Sequence, residues 1–534
     1  LNLCGVLANI PSMEEECDDL NLTAALAHEI AFSCTNDICR AVLPEHFAHG
    51  ALVRFQKIPI QECYDFDEGD KLGEGSFGAV TKAVHKATQA ERAVKTVAKK
   101  SVEREELDAE IEIMKILDHP NIVKLYEVFE DFVYINLVME LCTGGPLFER
   151  IVEEECFTER QAATIMQQVM GGLMYMHRKS VCHRDIKPEN FLLQVPGNRW
   201  CPVEHCVIKI IDFGVAKQFV KGKPMSTMIG TPFYVAPQVL QGEYTHSCDL
   251  WSCGVLTYIL LCGYPPFTGD TDTELIPSIK RGEFEFPEED WGGVSHDAKD
   301  LVLRLICLDE ARRMTAAQTM DHTWIKNKAP RASDAPLSDN TLKNMRAFRG
   351  QNNLKKAALH VIAQRLREDE IKTLKEMFLS LDQNGDGTVT LQELKEGIDR
   401  LQIQGMPDNL KELMQEMDVD GSGSIDYTEF IAATLDKKQY QQESICWAAF
   451  QVFDTDGSGS ISRTELEKVL ASGELEQIMG STAVARVMEE CDGDGDGQID
   501  FNEFMHMMRG ADDDNSGKRT SLQEDTGKRC SFKR

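Results

Sequence analysis

The sequence predicts an α+β chain. A mixed sheet-and-helix region spans about 64–324, an all-α region spans 370–510, and a basic helical segment joins them. Three observations carry this. A glycine-rich run, LGEGSFGAV at 72–80, opens a β-like stretch. Four acidic twelve-residue windows recur between Asp382 and Glu503 at spacings of 36, 36 and 38 positions. Between the two, residues 325–367 hold ten Lys/Arg against two acidic residues, in a chain whose net charge is −31.

The 534 residues make roughly three domain-sized units. The acidic balance argues against a nucleic-acid partner. The 17 cysteines show no CxxC metal spacing, and the chain shows no signal peptide. They read as reduced thiols in a cytoplasmic compartment. No apolar run approaches the ~20 residues of a membrane span. The chain starts at Leu1 rather than Met, which leaves a lipid signal, and with it membrane association, open. Residues 1–63 lack periodicity and read as a variable, disordered extension, with a small helical domain as the other reading. The polar tail at 511–534 is expected to be disordered.

In the first region Gly73, Gly75 and Gly78 lie between Leu72 and Val80. Glycines let backbone fold closely over phosphates. The spacing alone is weak, because dinucleotide folds share it. Here RAVKTV follows, with Lys95 seventeen positions beyond Gly78. A lysine buried on a strand needs a carboxylate. Glu110 fits, on a helical pattern with Ile113, Met114 and Leu117. VCHRDIKPEN at 181–190 and IIDFG at 210–214 then complete a phosphoryl-transfer set. Asp185 is placed to take the proton of an incoming hydroxyl, and Lys187 to neutralise charge on the moving phosphoryl group. Asn190 and Asp212 offer hard oxygen ligands for magnesium.

These motifs resemble the protein-kinase family over the whole of 64–324, and Lys187 two after Asp185 is similar to its serine/threonine branch. The resemblance implies a bilobal fold that binds ATP. It implies Met139 at the back of the adenine pocket, Glu140 to Cys142 as the hinge, GTPFYVAP at 230–237 as the end of an activation segment, and DLWSCG at 249–254 as the helix behind it. Three departures matter. Gln238 stands where the family has a Glu that pairs with a distant Arg, here Arg313. Pro146 stands where members often carry a Glu that receives a substrate Arg, leaving Glu149 and Glu189 as acidic candidates. Ser226 and Thr227 lie in the activation segment, and Arg184 is a candidate receiver for a phosphate there, with incidental hydroxyls as the other reading.

In the second region each window carries oxygen side chains at positions 1, 3 and 5, Gly at 6 and Glu at 12. That is the EF-hand pattern, with position 7 binding through its carbonyl. The calcium ligands are expected to be Asp382, Asn384, Asp386, Thr388 and Glu393; Asp418, Asp420, Ser422, Ser424 and Glu429; Asp454, Asp456, Ser458, Ser460 and Glu465; and Asp492, Asp494, Asp496, Gln498 and Glu503. Loops two and three have Ser at position 5 and are expected to bind more weakly. Val389, Ile425, Ile461 and Ile499 at position 8 are expected to pair the loops. Nine of the 21 methionines lie between 377 and 508, which suits adaptable apolar grooves that open with calcium, although small-core packing explains some. Residues 368–510 hold 31 acidic and 11 basic residues.

Leu354, Ala358, Val361, Ile362 and Leu366 form a helical stripe flanked by Lys355, Lys356, Arg365 and Arg367. Such a segment resembles the targets that calcium sensors grip; an interdomain helix with a solvated basic face is the plain alternative. Kinase, basic helix and four EF-hands in this order resemble the calcium-dependent protein kinases of plants and protists. The implied architecture is a bilobal protein-kinase fold at 64–324, an autoinhibitory junction at 325–369, and an all-α calmodulin-like domain of two EF-hand pairs at 370–510. The implied activity is ATP- and magnesium-dependent phosphorylation of protein Ser/Thr hydroxyls by a monomer, with calcium as activator and the junction as the EF-hands' intramolecular target. Arg346, Arg349, Lys355 and Lys356 are the candidate inhibitory contacts. A non-catalytic calcium scaffold, and a kinase regulated by separate calmodulin, are the rival readings.

Overall fold

The computed structural model describes residues 53–66, 71–75, 78–154, 156–194, 202–269, 271–329, 339–366, 368–400, 410–470 and 476–509. The tail at 511–534, Arg331 and Arg367, and the extension up to residue 52 lie outside them.

Seven strands form the first sheet: β1 (Arg54–Gln56), β2 (Tyr64–Asp65), β3 (Lys71–Gly75), β4 (Gly78–His85), β5 (Glu91–Ala98), β6 (Leu125–Glu130) and β7 (Tyr134–Met139). Their order is β1-β6-β7-β5-β4-β2, with β3 paired to β4. The end of the expected disordered extension is therefore structured. Arg54 to Gln56 run parallel to Glu127 to Phe129 on β6. Three residues are too short to give a readable alternation, so the sheet edge that captures them is the deciding force. β5 lies inside the sheet and buries Ala93, Val94, Lys95 and Val97. That explains an apolar run broken by one lysine. β3 turns into β4 at the glycine loop, and Gly75 pairs with Gly78. A Cβ at Gly78 would lie 1.9 Å from the Thr96 carbonyl oxygen, so only glycine fits. Helix α1 (Arg104–Ile116) buries Leu107, Glu110, Ile111, Ile113 and Met114, at i, i+3, i+4, i+6 and i+7.

The larger lobe is helical. It contains α2 (Leu147–Glu154), α3 (Glu159–Arg178) and α4 (Cys248–Cys262). Thr158 opens α3 with a capping box to Gln161. α4 is buried from Cys248 to Leu261, as its largely apolar sequence requires. Arg313 is 4 % exposed. It donates to Gln238 Oε1 at 2.9 Å, to the Cys307 carbonyl at 2.8 Å and to the Ser247 carbonyl at 3.0 Å. Gln238 also donates from Nε2 to the Leu308 carbonyl at 2.6 Å. A carboxylate cannot make that second bond, so the amide is fitted to its place rather than a weakened acid.

A second core begins at Met345 and ends at Met508. Helices α5 (Asp339–Arg349) and α6 (Asn353–Arg365) belong to it, with α7 (Glu368–Leu381), α8 (Leu391–Arg400), α9 (Leu410–Met417), α10 (Tyr427–Thr434), α11 (Glu443–Phe453), α12 (Arg463–Leu470), α13 (Glu476–Cys491) and α14 (Phe501–Arg509). The core of the first region ends at Ala329. The junction therefore packs with the EF-hand helices. α6 is buried from Leu354 to Gln364, Lys355 and Lys356 included. The expected one-sided stripe is thus corrected: the helix is enclosed on every face. Lys355 donates to the Met507 carbonyl at 3.0 Å. Burial, and then Lys437 nearby, hold its ammonium down at about 8.

Two outcomes follow. Gln238→Ala leaves buried Arg313 one acceptor short, which costs about 1–3 kcal/mol. Calorimetry should show the kinase transition lowered by about 3–8 °C; an unchanged midpoint would mean that water replaces the amide. For Lys355, folding depresses the pKa of a base. Below about 8 both states hold the proton and the folded state bears the burial cost. Between that value and ~10.4 the unfolded chain binds more protons, so stability rises with pH. Lys355→Met should therefore raise the thermal midpoint at pH 7, and its advantage should shrink toward pH 9.5. A pH-independent difference would contradict this account.

Candidate active site and calcium loops

The first site lies between the sheet and the helical lobe. Lys95 Nζ on β5 is 2.6 Å from Glu110 Oε1 on α1 and 3.6 Å from Asp212 Oδ1. Burial acts to lower the Lys95 pKa, but Glu110 and Asp212 outweigh it and the net direction is up. The lysine is charged, and Val80 of the glycine hairpin stands in register beside it. Leu72 and Gly73 are exposed on β3. Met139 ends β7 opposite Ala93. The Glu140 amide then donates to the Lys124 carbonyl at 2.9 Å, and its carboxylate pairs with Lys209 at 2.8 Å. Cys142 follows, half-buried.

Asp185 stands opposite. Lys187 Nζ is 2.7 Å from its Oδ2, and Thr231 Oγ1 donates to its Oδ1 at 2.9 Å. Lys187 also donates to Thr231 Oγ1 at 2.9 Å. Burial pushes the Asp185 carboxyl up, but Lys187 and Thr231 outweigh it and hold it below the usual range. Asn190 Nδ2 donates to the Asp185 carbonyl at 2.8 Å and to Oδ2 at 3.1 Å. Thr231 was not singled out in the sequence. Its only signal was a hydroxyl inside GTPFYVAP, 46 positions from Asp185.

The segments holding these groups are strained and braced. Arg184 has φ 69° and Asp212 has φ 62°, a region that non-glycine residues avoid. Buried Asp249 on α4 accepts from the His183 amide at 3.0 Å, the Arg184 amide at 2.8 Å and His177 Nε2 at 2.8 Å. Arg184 does not stand open for a phosphate. It donates to the Val215 carbonyl at 2.6 Å and to the Tyr244 hydroxyl at 3.3 Å, and Tyr244 donates to the Thr227 carbonyl at 2.8 Å.

The four loops share one geometry. Gly387, Gly423, Gly459 and Gly497 have φ of 78°, 85°, 89° and 84°, the left-handed turn the motif needs. Val389 pairs with Ile425, and Ile461 with Ile499, so loops join as one-two and three-four. Each final Glu folds back on its loop. Glu429, for example, accepts from the Val419 amide at 2.7 Å and the Asp426 amide at 2.8 Å. Ligand atoms of Asp418, Asp420 and Glu429 lie within 4.8 Å of one another, as do those of Asp454, Asp456 and Glu465 and of Asp492, Asp494 and Glu503. Burial, then Asp426 and Asp420, push the Glu429 carboxyl well up. Crowded all-oxygen donors whose mutual repulsion a hard divalent cation relieves fit calcium. In loop one, Asp386 is engaged by Arg178, and burial and then Asp386 push Asp382 up to about 8.

Loops one and two also touch the first region. Lys179 Nζ is 3.1 Å from Asp426 and 3.6 Å from Asp420, and Tyr175 donates to Asp426 at 3.2 Å. Asp118 accepts from the Thr428 amide and hydroxyl, each at 2.8 Å. Sequence reasoning missed these partners, which lie about 210 to 310 positions apart and carry no local signal. In the junction, Arg349 pairs with Glu412 and Lys356 with Glu416. Arg346 also has a partner.

The protein kinase domain family matches residues 66–325, and the EF-hand domain pair matches 371–435 and 442–509. The chain is 41% identical over 456 residues to calcium-dependent protein kinase 3 of Plasmodium berghei, covering 84% of this chain and 81% of that one. It is 40% identical over 457 residues to calcium-dependent protein kinase 2 of Zea mays, covering 84% and 86%. With calcium-dependent protein kinase 21 of Arabidopsis thaliana it shares 41% over 456 residues, 84% of each. The lysine, carboxylates and asparagine of phosphoryl transfer stand together with four complete calcium loops, and the chain belongs to the calcium-dependent protein kinases, as a serine/threonine kinase that uses ATP, magnesium and calcium.

Proposed function

We propose that this kinase carries its own calcium switch, in which the junction blocks the substrate cleft at low calcium and is withdrawn when the EF-hands hold it. The observation that carries this reading is the enclosure of α6 in the EF-hand core. A helix with Lys355 and Lys356 buried has left water for a specific host. The contacts of Arg349 and Lys356 to Glu412 and Glu416 fit the released arrangement. Their inhibitory contacts would belong to the other state.

In the reaction, Asp185 receives the proton of the substrate Ser or Thr hydroxyl as its oxygen approaches the γ-phosphorus of ATP. Lys187 balances negative charge there, and Thr231 keeps lysine and aspartate in register. Lys95, fixed by Glu110, holds the outer phosphates, and the backbone of Gly73, Gly75 and Gly78 covers them. Asn190 and Asp212 are the residues that would hold magnesium, which supplies charge neutralisation on the phosphates when bound. Leu72, Val80, Met139, Glu140 and Cys142 frame the adenine. Glu149 and Glu189 remain as receivers for a basic substrate, with Pro146 removing a third. We place the protein in a reducing cytoplasm and acting as a monomer. Among the described residues the cysteines are free, and no helix is long and apolar enough to cross a membrane.

The decisive experiment is phosphate transfer by the intact chain to a basic Ser/Thr peptide, with ATP and magnesium, in EGTA and in excess calcium. At least hundredfold activation is expected, which needs ~2.7 kcal/mol of differential calcium binding. Equal activity in both would sink the switch and leave the kinase. Asp185→Asn should lower kcat by about 10²–10⁴ while leaving ATP binding intact. A variant that kept its rate would exclude Asp185 as the base.

A further inference from the structure

The junction reaches the small lobe at a buried charge. Arg365 closes α6, and its Nη2 stands 3.1 Å from Glu127 Oε1 on β6. Glu127 is 2 % exposed and the Arg365 side chain 19 %. Tyr64 on β2, itself buried, donates to the other carboxylate oxygen at 2.7 Å. Three segments far apart in sequence thus meet on one carboxylate.

The strand of that carboxylate is joined through the sheet to the one that carries Lys95, with Glu127 on the face away from that lysine. Glu127 pairs with Val138 on β7, the neighbouring Leu137 pairs with Lys95 on β5, and Lys95 pairs with Val80 on β4, which returns from the glycine turn. Tyr64 pairs with His85 at the other end of β4. Glu127 is therefore tied to both ends of the strand set that holds Lys95. Burial pushes its carboxyl up, and Arg365 first and then Tyr64 outweigh this and bring it down. Without the guanidinium, a buried carboxylate loses its charge partner, and such a change loosens the strands that enclose it.

We propose that Arg365 is a positioning residue for phosphoryl transfer: it enters the small lobe with α6 and, through Glu127 and Tyr64, fixes the strands that carry Lys95 and the glycine loop. This rests on the calcium-switch reading and deepens it. Activation then has two halves, clearing of the cleft and insertion of Arg365. Because α6 is enclosed by the EF-hand core, the site of Arg365 is set by the same helices that hold calcium.

The test uses the full chain in excess calcium with ATP, magnesium and a basic peptide. Arg365→Met keeps the apolar stem and removes the charge. Its KM for ATP should rise about tenfold and its kcat fall about tenfold, with the calcium-binding isotherm unchanged. Adding Glu127→Gln should recover at least half of the loss on a logarithmic scale, since an amide still accepts from Tyr64 and needs no cation. Hydrogen exchange gives a second readout. Calcium should slow exchange of the β5, β6 and β7 amides in wild type and in the double variant, but not in Arg365→Met. Wild-type ATP kinetics in Arg365→Met, or equal losses in the single and double variants, would overturn the proposal. If Arg365→Met fails to fold, Arg365→Lys, with and without Glu127→Gln, carries the same comparison. A wild type indifferent to calcium would refute the switch, whereas the ATP kinetics of the variants in calcium would still decide the role of Arg365.

Discussion

Burial of α6 is the constraint on which the regulatory half of the chain depends. Leu354, Ala358, Val361 and Ile362 are almost wholly removed from water. Each large aliphatic side chain among them gains about 1.5–3 kcal/mol from that removal. The same enclosure takes in Lys355 and Lys356, whose charges resist it. A helix with this mixture is not held in solvent by its charges, nor in the core without opposition. Its location is decided by which surface offers an apolar socket together with acceptors for the ammonium groups. The EF-hand core offers both: the Met507 carbonyl for Lys355 and Glu416 for Lys356. A surface that changes shape when calcium binds can therefore move the helix with a few kcal/mol.

The catalytic half is organised by a different rule. Its charges are few, buried or half-buried, and mutually satisfied. Lys95 answers Glu110 and Asp212, Lys187 answers Asp185, and Asp249 gathers two amides and a histidine under the strained Arg184. Each carboxylate has a named donor beside it. That is what a site needs if it is to move a proton and a phosphoryl group with little rearrangement. Arg184 and Tyr244 tie the activation segment through neutral oxygens. The side-chain hydroxyls of Ser226 and Thr227, exposed in that segment, take no part in these bonds.

What the sequence made legible was local. Glycine spacing, HRDIKPEN, DFG and the loop repeats each place several ligands within about twenty positions, where backbone geometry alone brings them together. The partner of Lys95 was legible because a helical face presented one suitably placed acid. Thr231, Asp118, Tyr175, Lys179 and Glu127 were not, since each acts on a residue brought near only by the packing of separate elements. The junction shows the limit of periodicity. A stripe of five apolar residues predicts a helix with one dry face, and α6 is dry all round because two sets of EF-hand helices close over it. The edge strand β1 shows the opposite limit. Its three residues carry no pattern, and β6 supplies the hydrogen bonds that order them.

Loop affinity is a further case where composition and context separate. On composition alone, serine at position 5 makes loops two and three the expected weaker binders. The β-bridges join loop one to two and loop three to four, so each pair holds one serine loop, and composition alone would make the pairs alike. The structure makes them unlike. Asp386, Asp420 and Asp426 of the first pair face Arg178 and Lys179 of the kinase lobe, while Asp492, Asp494 and Asp496 of the fourth loop are partly or fully exposed. A cation beside a carboxylate opposes a second cation arriving there. Calcium arriving at the first pair would therefore compete with those cations, and linkage would make the effect reciprocal. The pair that lies against the kinase lobe is thus the pair whose carboxylates already face that lobe's cations.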